Sequence, residues 1–352
     1  MVKLRAVKAL WKNIRYRLEW LALTVALKLV PLLSRRACYQ IAGFAGAVAA
    51  KFDRRGRAVT LSNLEAAFGD TFSPAQRDRI ARESYQHFAR TMLDLFWSPR
   101  LTAANYSDYI EAEGIERTRA EIAPSNSCIV GTFHYGNFEW LGLASAWLGF
   151  PCAITTQEFK NPLLDELFMK LRQQSGHTVV EREGAIIRLY KALRKKGRVA
   201  LLVDTTLPPR QPTVVIDCFG LKKIVTVAHA WLQDRTGAPI IPVHCEPLAD
   251  GRYRIVTHPK VQLPAGATHQ EIAQACWDAF ESVARKNPAP WLWMYKHWRY
   301  KPADAARPYP SYSQPSWAFE QIAARPNYSK LDRRLSRAKA SAAAETRASA
   351  SR

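Results

Sequence analysis

Between Ser127 and Lys286, short apolar segments alternate with longer amphipathic segments, and this alternation limits the fold more than any other feature of the chain. The short segments have the length and composition of buried strands, whereas the longer ones repeat their apolar residues every three or four positions, as helices do. The predicted strands are 128–133, 153–156, 177–180, 199–203, 213–219, 239–245 and 253–257, and the predicted helices are 138–147, 161–174, 185–196, 225–236 and 271–286. Strands and helices in this order form mostly parallel sheets covered on both faces. The sequence therefore predicts an α/β fold with a mostly parallel central sheet flanked by helices.

The predicted α/β domain covers residues 58–302 and has a helical N-terminal part. Apolar residues recur at helical spacing from 58 to 97, and Ser73 followed by Pro74 is a recognised helix start. Residues 101–126 are acidic and are predicted to form a loop. After Ala303 the chain turns to Pro, Ala, Ser and Arg, so residues 303–352 are expected to be a basic, disordered tail.

Residues 1–57 are predicted to anchor the chain to a membrane. The net charge of +21 is concentrated at the ends, with +11 in residues 1–60, +6 in residues 301–352 and only +4 between them. Lys and Arg alternate with apolar residues over the first 17 positions, which is typical of an amphipathic helix at a membrane interface. The apolar stretches 18–33 and 41–50 both fall short of the roughly 20 apolar residues of a spanning helix. An interfacial anchor is favoured, with a short tilted span or a helix packed on the protein's own core as alternatives.

The same charge distribution restricts the partners. Basic residues beside apolar runs suit the anionic headgroups of a membrane surface, whereas the balanced middle of the chain offers no basic groove and no motif for nucleic acid. The six cysteines are scattered without a Cys-x-x-Cys pair, which disfavours a zinc site or a disulfide framework. We therefore expect no nucleic acid and no metal, and a reducing compartment for the soluble part.

A His-x4-Glu pair marks the first predicted strand-to-helix turn. His134 follows the strand, and Glu139 lies five positions later, where it could accept one ring N–H of the histidine. That contact would fix the tautomer and support the imidazolium that forms when the other nitrogen takes a proton. The spacing is not that of zinc proteases, and no further histidine completes a metal set. Because such a pair also arises easily by chance, a purely structural role remains an alternative.

Asp204 and Arg172 are further candidates. Asp204 follows the strand 199–203, so it lies with His134 beyond the carboxyl ends of the strands, where open α/β sheets bind ligands. It is either an active-site carboxylate or a loop cap. Arg172 is either a cation favoured near a helix C-terminus or a forked donor for a phosphate or a developing oxyanion. An aromatic and basic cluster at 291–300 fits core packing or a membrane interface, and His297 within it is interpreted as structural.

Taken in order, the motifs of this chain closely resemble those of the bacterial lipid A biosynthesis acyltransferases, the lauroyl/myristoyl branch of the lysophospholipid acyltransferase superfamily. The resemblance covers roughly residues 10–302. Its motifs are Asn63-Leu64 with Ala67-Phe68, Gly131-Thr132-Phe133-His134-Tyr135-Gly136-Asn137-Phe138-Glu139, Asn161-Pro162-Leu163 with Arg172, Arg182-Glu183-Gly184, Leu201-Leu202-Val203-Asp204, Cys218-Phe219-Gly220, Gly237-Ala238-Pro239-Ile240-Ile241-Pro242 and Trp291-Leu292-Trp293. Many members have Asp-Gln where this chain has Asp204-Thr205, and Arg-Arg-Trp where it has Lys296-His297-Trp298. Both departures concern the identity of the acceptor more than the chemistry.

The resemblance implies a glycerol-3-phosphate acyltransferase-like fold and an enzyme on the cytoplasmic side of the bacterial inner membrane. Such an enzyme moves a fatty acyl chain from acyl carrier protein or coenzyme A onto a hydroxyl of a lipid A precursor. It needs no cofactor, because the acyl thioester is a co-substrate. His134 matches the family's general base and Glu139 its orienting acid, while Arg172 and Asp204 match positions linked to the acceptor headgroup or the catalytic centre.

The expected chemistry is direct acyl transfer. Backbone N–H groups near Gly136 and Asn137, with Arg172, are expected to bind substrate or stabilise the oxyanion. The chain has no Gly-x-Ser-x-Gly elbow, which fits a mechanism without a serine nucleophile. Two alternatives remain: transfer to another lipid acceptor, such as a lysophospholipid, an ornithine lipid or another glycolipid, or a membrane-binding relative without catalytic activity.

Overall fold

The computed structural model describes residues 2–155, 159–180, 184–329 and 331 of the 352-residue chain, with side chains from Leu10 onward. The α-helices in this part are α1 (Val2–Leu29), α2 (Arg35–Phe52), α3 (Arg54–Phe68), α4 (Pro74–Trp97), α5 (Ile115–Ile122), α6 (Phe138–Trp147), α7 (Pro162–Gln173), α8 (Ala185–Arg194), α9 (Ala228–Thr236), α10 (His269–Lys286) and α11 (Trp317–Ala323). The strands are β1 (Ile110–Glu113), β2 (Cys128–Thr132), β3 (Ala153–Thr155), β4 (Thr178–Val180), β5 (Arg198–Leu202), β6 (Thr213–Cys218), β7 (Leu221–Thr226), β8 (Ile240–Pro247), β9 (Tyr253–Thr257), β10 (Tyr300–Lys301) and β11 (Gln314–Pro315). Of the motif Arg182-Glu183-Gly184, only Gly184 lies among the described residues.

A seven-stranded sheet in the order β1-β9-β8-β2-β5-β3-β4 forms the centre of the fold. From β8 to β4 all neighbouring strands are parallel. The strand β9 runs antiparallel to β8, and β1 pairs with β9 in parallel. The strands β6 and β7 form a separate antiparallel hairpin, and β10 pairs with β11. The predicted α/β architecture with a mostly parallel sheet is confirmed.

Helices cover both faces of the sheet, because alternate side chains of each strand enter different cores. Ile129 and Ile240 belong to the core that also contains residues of α8, α9 and α10, whereas their neighbours Cys128 and Ile241 belong to the core beneath α4, α6 and α7. The helices α1 and α2 pack on the outside of α4, and α1 also contacts α7. The N-terminal helices therefore lie on the opposite face of the sheet from α8.

Both N-terminal helices expose one apolar stripe. On α1 the exposed residues recur at helical spacing, as they do on α2, whereas other residues of α1 such as Leu23 and Leu27 pack against the core. The exposed residues are Leu10, Trp11, Ile14, Leu18, Trp20, Leu21, Val25 and Leu29 on α1, and Ile41, Phe44, Val48 and Phe52 on α2. None of the described helices combines the length and the apolar composition needed to cross a bilayer.

Three sequence predictions are corrected by the structure. Residues 101–126 are not only a loop, since they contain β1 and α5. The strand has only four residues, and two of them are glutamate, a residue type depleted in strands. The segment 221–226 is a strand, so α9 begins after the predicted start at 225. The predicted disordered tail begins too early, because 303–329 contain β11 and α11, and Phe319 is buried against the β6–β7 hairpin. Residues 332–352 lie outside the described part of the chain.

Candidate active site

His134 and Asp204 meet because they follow two adjacent parallel strands in the same register. Thr132 of β2 lies opposite Leu202 of β5, so the residues two positions beyond each strand end side by side at the carboxyl edge of the sheet. There the backbone N–H of His134 donates to Asp204 Oδ2 at 2.9 Å, and Nδ1 of its ring lies 2.8 Å from Asp204 Oδ1. This double contact fixes the main chain and the imidazole ring of His134 on one carboxylate.

Asp204 is fully buried and ionised. The indole Nε1–H of Trp291 donates to Oδ2 at 2.9 Å, in addition to the two contacts with His134. Burial alone would raise the pKa of this carboxyl, but the interactions with His134 and the charge of Lys223 hold the pKa below its usual value. An ionised carboxylate accepts hydrogen bonds only, so the proton on the imidazole lies on Nδ1. Nε2 is then free to take a proton, and it has no partner among the described residues.

Glu139 pairs with Arg172, not with His134. Arg172 Nε donates to Glu139 Oε2 at 3.0 Å and Nη2 donates to Oε1 at 2.6 Å, which is the forked geometry that guanidinium and carboxylate groups favour. The expectation that Glu139 orients the His134 ring is therefore corrected. The physical reason is that the ring nitrogen is taken by Asp204, while α6 directs Glu139 towards α7, where Arg172 lies.

Gly136 and Asn137 shape the turn between β2 and α6. Gly136 has φ of +55°, and a Cβ at this position would lie 1.8 Å from the carbonyl oxygen of Cys245. Its N–H donates to the Pro290 carbonyl at 3.0 Å, so this N–H is not available to an oxyanion. Asn137 is fully buried; its Oδ1 caps α6 by accepting from Trp140 N at 3.0 Å. Both residues hold the turn in place, so the expected oxyanion role of the Gly136 N–H is corrected, whereas the role expected of Asn137 stays a prediction.

A cavity of about 770 Å³ opens beside the histidine. His134, Glu139 and Arg172 line it together, and the rest of its wall is mainly apolar. The apolar lining includes Val130, Leu141, Leu143, Ile154, Leu202, Ile186 and Leu189. The His134 side chain is 20% exposed, so a ligand in this cavity can reach the imidazole. Cavities of this size and composition are typical of small-molecule sites.

The sequence did not single out Lys223, whose amino group donates to the main-chain carbonyl of Asp204. The β7 pattern carries a signal, because Leu221, Lys223 and Val225 alternate towards the core while Lys222 points outward. A lysine at an inward position of a strand is rare unless it has polar partners. Within the described ranges, no three His, Cys, Asp or Glu side chains converge as a metal site would require, and all six cysteines are buried and unpaired with one another.

Comparison with known proteins gives consistent matches. The family model for "Bacterial lipid A biosynthesis acyltransferase" matches residues 6–300. The phosphatidylinositol mannoside acyltransferase of Mycobacterium tuberculosis, strains H37Rv and CDC 1551, is 22% identical over 228 residues, which are 63% of this chain and 71% of that protein. The lipid A biosynthesis acyltransferase of Haemophilus influenzae strain Rd is 24% identical over 245 residues, which are 68% of this chain and 74% of that protein.

Proposed function

This chain belongs to the bacterial lipid A biosynthesis acyltransferase family, and we propose that it transfers a fatty acyl chain from a thioester donor to a hydroxyl of a lipid A precursor. One observation supports the proposal more than any other. The imidazole of His134 is held by the ionised Asp204 at 2.8 Å, and it lies in the wall of a mainly apolar cavity of about 770 Å³. The site thus combines a base with room for an acyl chain.

The proposed reaction is a direct attack by the acceptor hydroxyl. His134 Nε2 takes the hydroxyl proton while the oxygen attacks the thioester carbonyl, and Asp204 stabilises the imidazolium that results. The tetrahedral intermediate collapses with cleavage of the C–S bond. The sulfur leaves with the proton that His134 had taken, so the histidine returns to its neutral form. No covalent acyl-enzyme is formed.

We assign the paired Arg172 to the negative charge of the substrates. Glu139 holds the guanidinium through two hydrogen bonds, and both side chains line the cavity beside His134. A guanidinium fixed in this way can stabilise the developing oxyanion or a phosphate of the acceptor headgroup. Glu139 acts here by positioning Arg172.

The proposed location is the cytoplasmic face of the bacterial inner membrane, where both lipid substrates are available. Support comes from the exposed apolar stripes of α1 and α2 and from the basic residues beside them, such as Lys12, Arg15 and Lys28. Amphipathic surfaces of this kind insert into the headgroup region and attract anionic lipids. A contiguous exposed apolar surface is otherwise unusual in a soluble domain.

Of the two thioester donors, we favour acyl carrier protein over coenzyme A. The exposed residues Lys191, Arg194, Lys195 and Lys196 form a basic surface at the end of α8, and no acidic residue occurs from 184 to 203. This surface lies on the opposite face of the sheet from α1 and α2, so it is directed away from the proposed membrane surface. The inner side of α8 lines the cavity through Ile186 and Leu189. A small acidic protein could cover all four cations of this surface, whereas one coenzyme A molecule offers only its few phosphates.

The donor assignment can be tested by charge reversal. Lys191→Glu with Lys195→Glu is expected to raise KM for lauroyl-acyl carrier protein at least tenfold and to leave KM for lauroyl-coenzyme A unchanged. The matched control is Arg79→Glu with Arg82→Glu on α4, which reverses two exposed charges elsewhere. Equal KM values for lauroyl-acyl carrier protein in the two double variants would exclude the α8 surface as its docking site.

A second acceptor class deserves the same assay, because the chain also matches a phosphatidylinositol mannoside acyltransferase. The purified chain in detergent micelles is given lauroyl-acyl carrier protein with either a tetraacylated lipid A precursor or a phosphatidylinositol mannoside, and products are identified by mass spectrometry. We expect acylation of the lipid A precursor by the wild type and by the control His258→Ala, and none by His134→Ala. Transfer by His134→Ala at near wild-type rate would refute the proposed base.

A further inference from the structure

Lys223 is fully buried directly behind the His134–Asp204 pair. Its Nζ donates to the main-chain carbonyl of Asp204 at 2.8 Å and lies 3.2 Å from Nδ1 of His297. The indole rings of Trp277 and Trp291 flank it, each with its centroid 5.3 Å from Nζ. The three N–H groups of an ammonium therefore meet a carbonyl, an imidazole nitrogen and aromatic faces.

No carboxylate pairs directly with this lysine in the described part of the chain. Burial lowers the pKa of Lys223, and the charge of Asp204 opposes that effect. Burying an ammonium without a contacting carboxylate costs stability, so such a group persists where something beyond packing requires it. The acidic group that best compensates the buried ammonium is the Asp204 carboxylate. The same carboxylate orients His134.

His297 links Lys223 to the other side of the carboxylate. Its Nε2 lies 2.9 Å from the Leu292 carbonyl, so this nitrogen carries the proton and Nδ1 accepts from Lys223. Burial lowers the pKa of His297 and keeps the ring neutral. The ring stacks on Trp291 at 3.9 Å, and Trp291 donates to Asp204 Oδ2. Lys223 thus contacts the main-chain carbonyl of Asp204 directly. It is also linked to the Asp204 carboxylate through the stacked rings of His297 and Trp291.

We propose that Lys223 is a positioning residue of the acyl-transfer site, which fixes Asp204 and keeps its carboxylate ionised. The inference rests on the proposed function. Lys223 reaches the neutral ring of His297 from strand β7. The catalytic pair thereby keeps a buried positive charge behind it.

The pH dependence follows from the charges around the pair. Lys223 and His297 face Asp204 from β7 and from the segment after α10, and Cys218 faces Lys223 from β6. A nearby cation opposes protonation of the pair, since it disfavours both the neutral carboxyl and the imidazolium. Removal of the cation makes protonation easier. The acid limb of the pH–activity profile must then move to higher pH.

The test compares Lys223→Met with Lys222→Met, a matched control that changes the exposed neighbour. For Lys223→Met we expect kcat to fall by about tenfold to a hundredfold, part of the roughly 10²–10⁴ that a positioned base contributes. KM should be unchanged, because Lys223 does not line the cavity. The acid limb should move to higher pH. The control should match the wild type in all three measurements.

A purely structural role predicts a different result. If Lys223→Met loses activity only in parallel with a large fall in Tm, and its pH profile is unchanged, the proposal is wrong. Should Lys223→Met fail to fold, Lys223→Gln keeps a donor for the Asp204 carbonyl but carries no charge; an unmoved acid limb in this variant would also overturn the proposal.

A second measurement separates this inference from the proposed function. NMR titration of ¹³C-labelled histidine, with the His134 ring assigned from His134→Gln, needs no substrate. We expect the midpoint for His134 to move to higher pH in Lys223→Met. If it moves but the wild type transfers no lauroyl group to either acceptor, the function fails and the coupling stands. An unmoved midpoint refutes the coupling.

Discussion

The substitution Asp204→Asn tests how the carboxylate controls the histidine tautomer. Three N–H groups converge on this carboxylate: the ring and the main chain of His134, and the indole of Trp291. An asparagine side chain has only one acceptor oxygen. If that oxygen takes the Oδ2 position, it satisfies the main-chain and indole donors together. The amide NH2 then faces Nδ1 of His134, so the imidazole proton moves to Nε2, and the nitrogen that faces the cavity can no longer accept one.

The expected loss is large because the base is removed while its position is kept. A positioned general base contributes about 10²–10⁴ to the rate, and we expect Asp204→Asn to lose about 10³-fold or more in kcat. This corresponds to about 4 kcal/mol of transition-state stabilisation. Glu139→Gln leaves the contacts of Asp204 with His134 unchanged, so we expect a smaller loss of kcat.

The assay is acylation of the lipid A precursor by the purified variants, with Tm measured on the same samples. Asp217→Asn is the matched control, since Asp217 is exposed and pairs with Lys222 at the surface. A folded Asp204→Asn protein with kcat within threefold of the wild type would refute the assigned role. A deeper loss in Glu139→Gln than in Asp204→Asn would restore Glu139 as the orienting acid.

Three further predictions concern the turn, the core and the membrane surface. Gly136→Ala should destabilise the fold by at least about 2 kcal/mol, seen as a lower Tm, because the left-handed backbone is strained for alanine and its Cβ would collide with the Cys245 carbonyl; an unchanged Tm would contradict the turn geometry. Burial lowers the pKa of His229 to about 4, below its ordinary value of 6.5. The stability that the neutral ring contributes is therefore complete above pH 6.5 and lost as the pH falls towards 4. His229→Leu should flatten the fall of Tm in this window, and an equally steep fall in the variant would count against this prediction. Phe44→Ser with Phe52→Ser should weaken binding to anionic liposomes at least about tenfold in a flotation assay, since both rings are over 70% exposed on α2; undiminished flotation would exclude this stripe as the membrane contact.

The sequence predicted the central sheet well because its strands are short apolar runs between clear helix signals. The bounds of α6 were predicted to the residue, since Asn137 caps the helix and Gly149 with Pro151 follows its end. The edge strand β1 was missed because it is only four residues long and two of them are glutamate, which is depleted in strands. The hairpin strand β7 was missed because Lys222 and Lys223 interrupt it, and only packing shows that one lysine is buried.

The sequence predicted the residues of the site but not which of them pair with each other. The sequence placed His134 and Asp204 at the same edge of the sheet, where both are found. It could not show that β2 and β5 are neighbours, because strand order depends on long-range packing. Spacing along the chain therefore favoured Glu139 as the partner of His134. The direction of Glu139 towards Arg172 depends on how α6 packs against α7, which no local pattern reports.

Mass spectrometry of membrane lipids tests whether this chain acylates lipid A through His134. Lipids are compared from cells that lack the gene, and from the same cells supplied with the wild type or with His134→Ala. Lipid A is expected to lose one acyl chain in the absence of the gene, and the wild type should restore it whereas His134→Ala should not. An unchanged lipid A profile without the gene, or full restoration by His134→Ala, would refute the proposed acyl transfer.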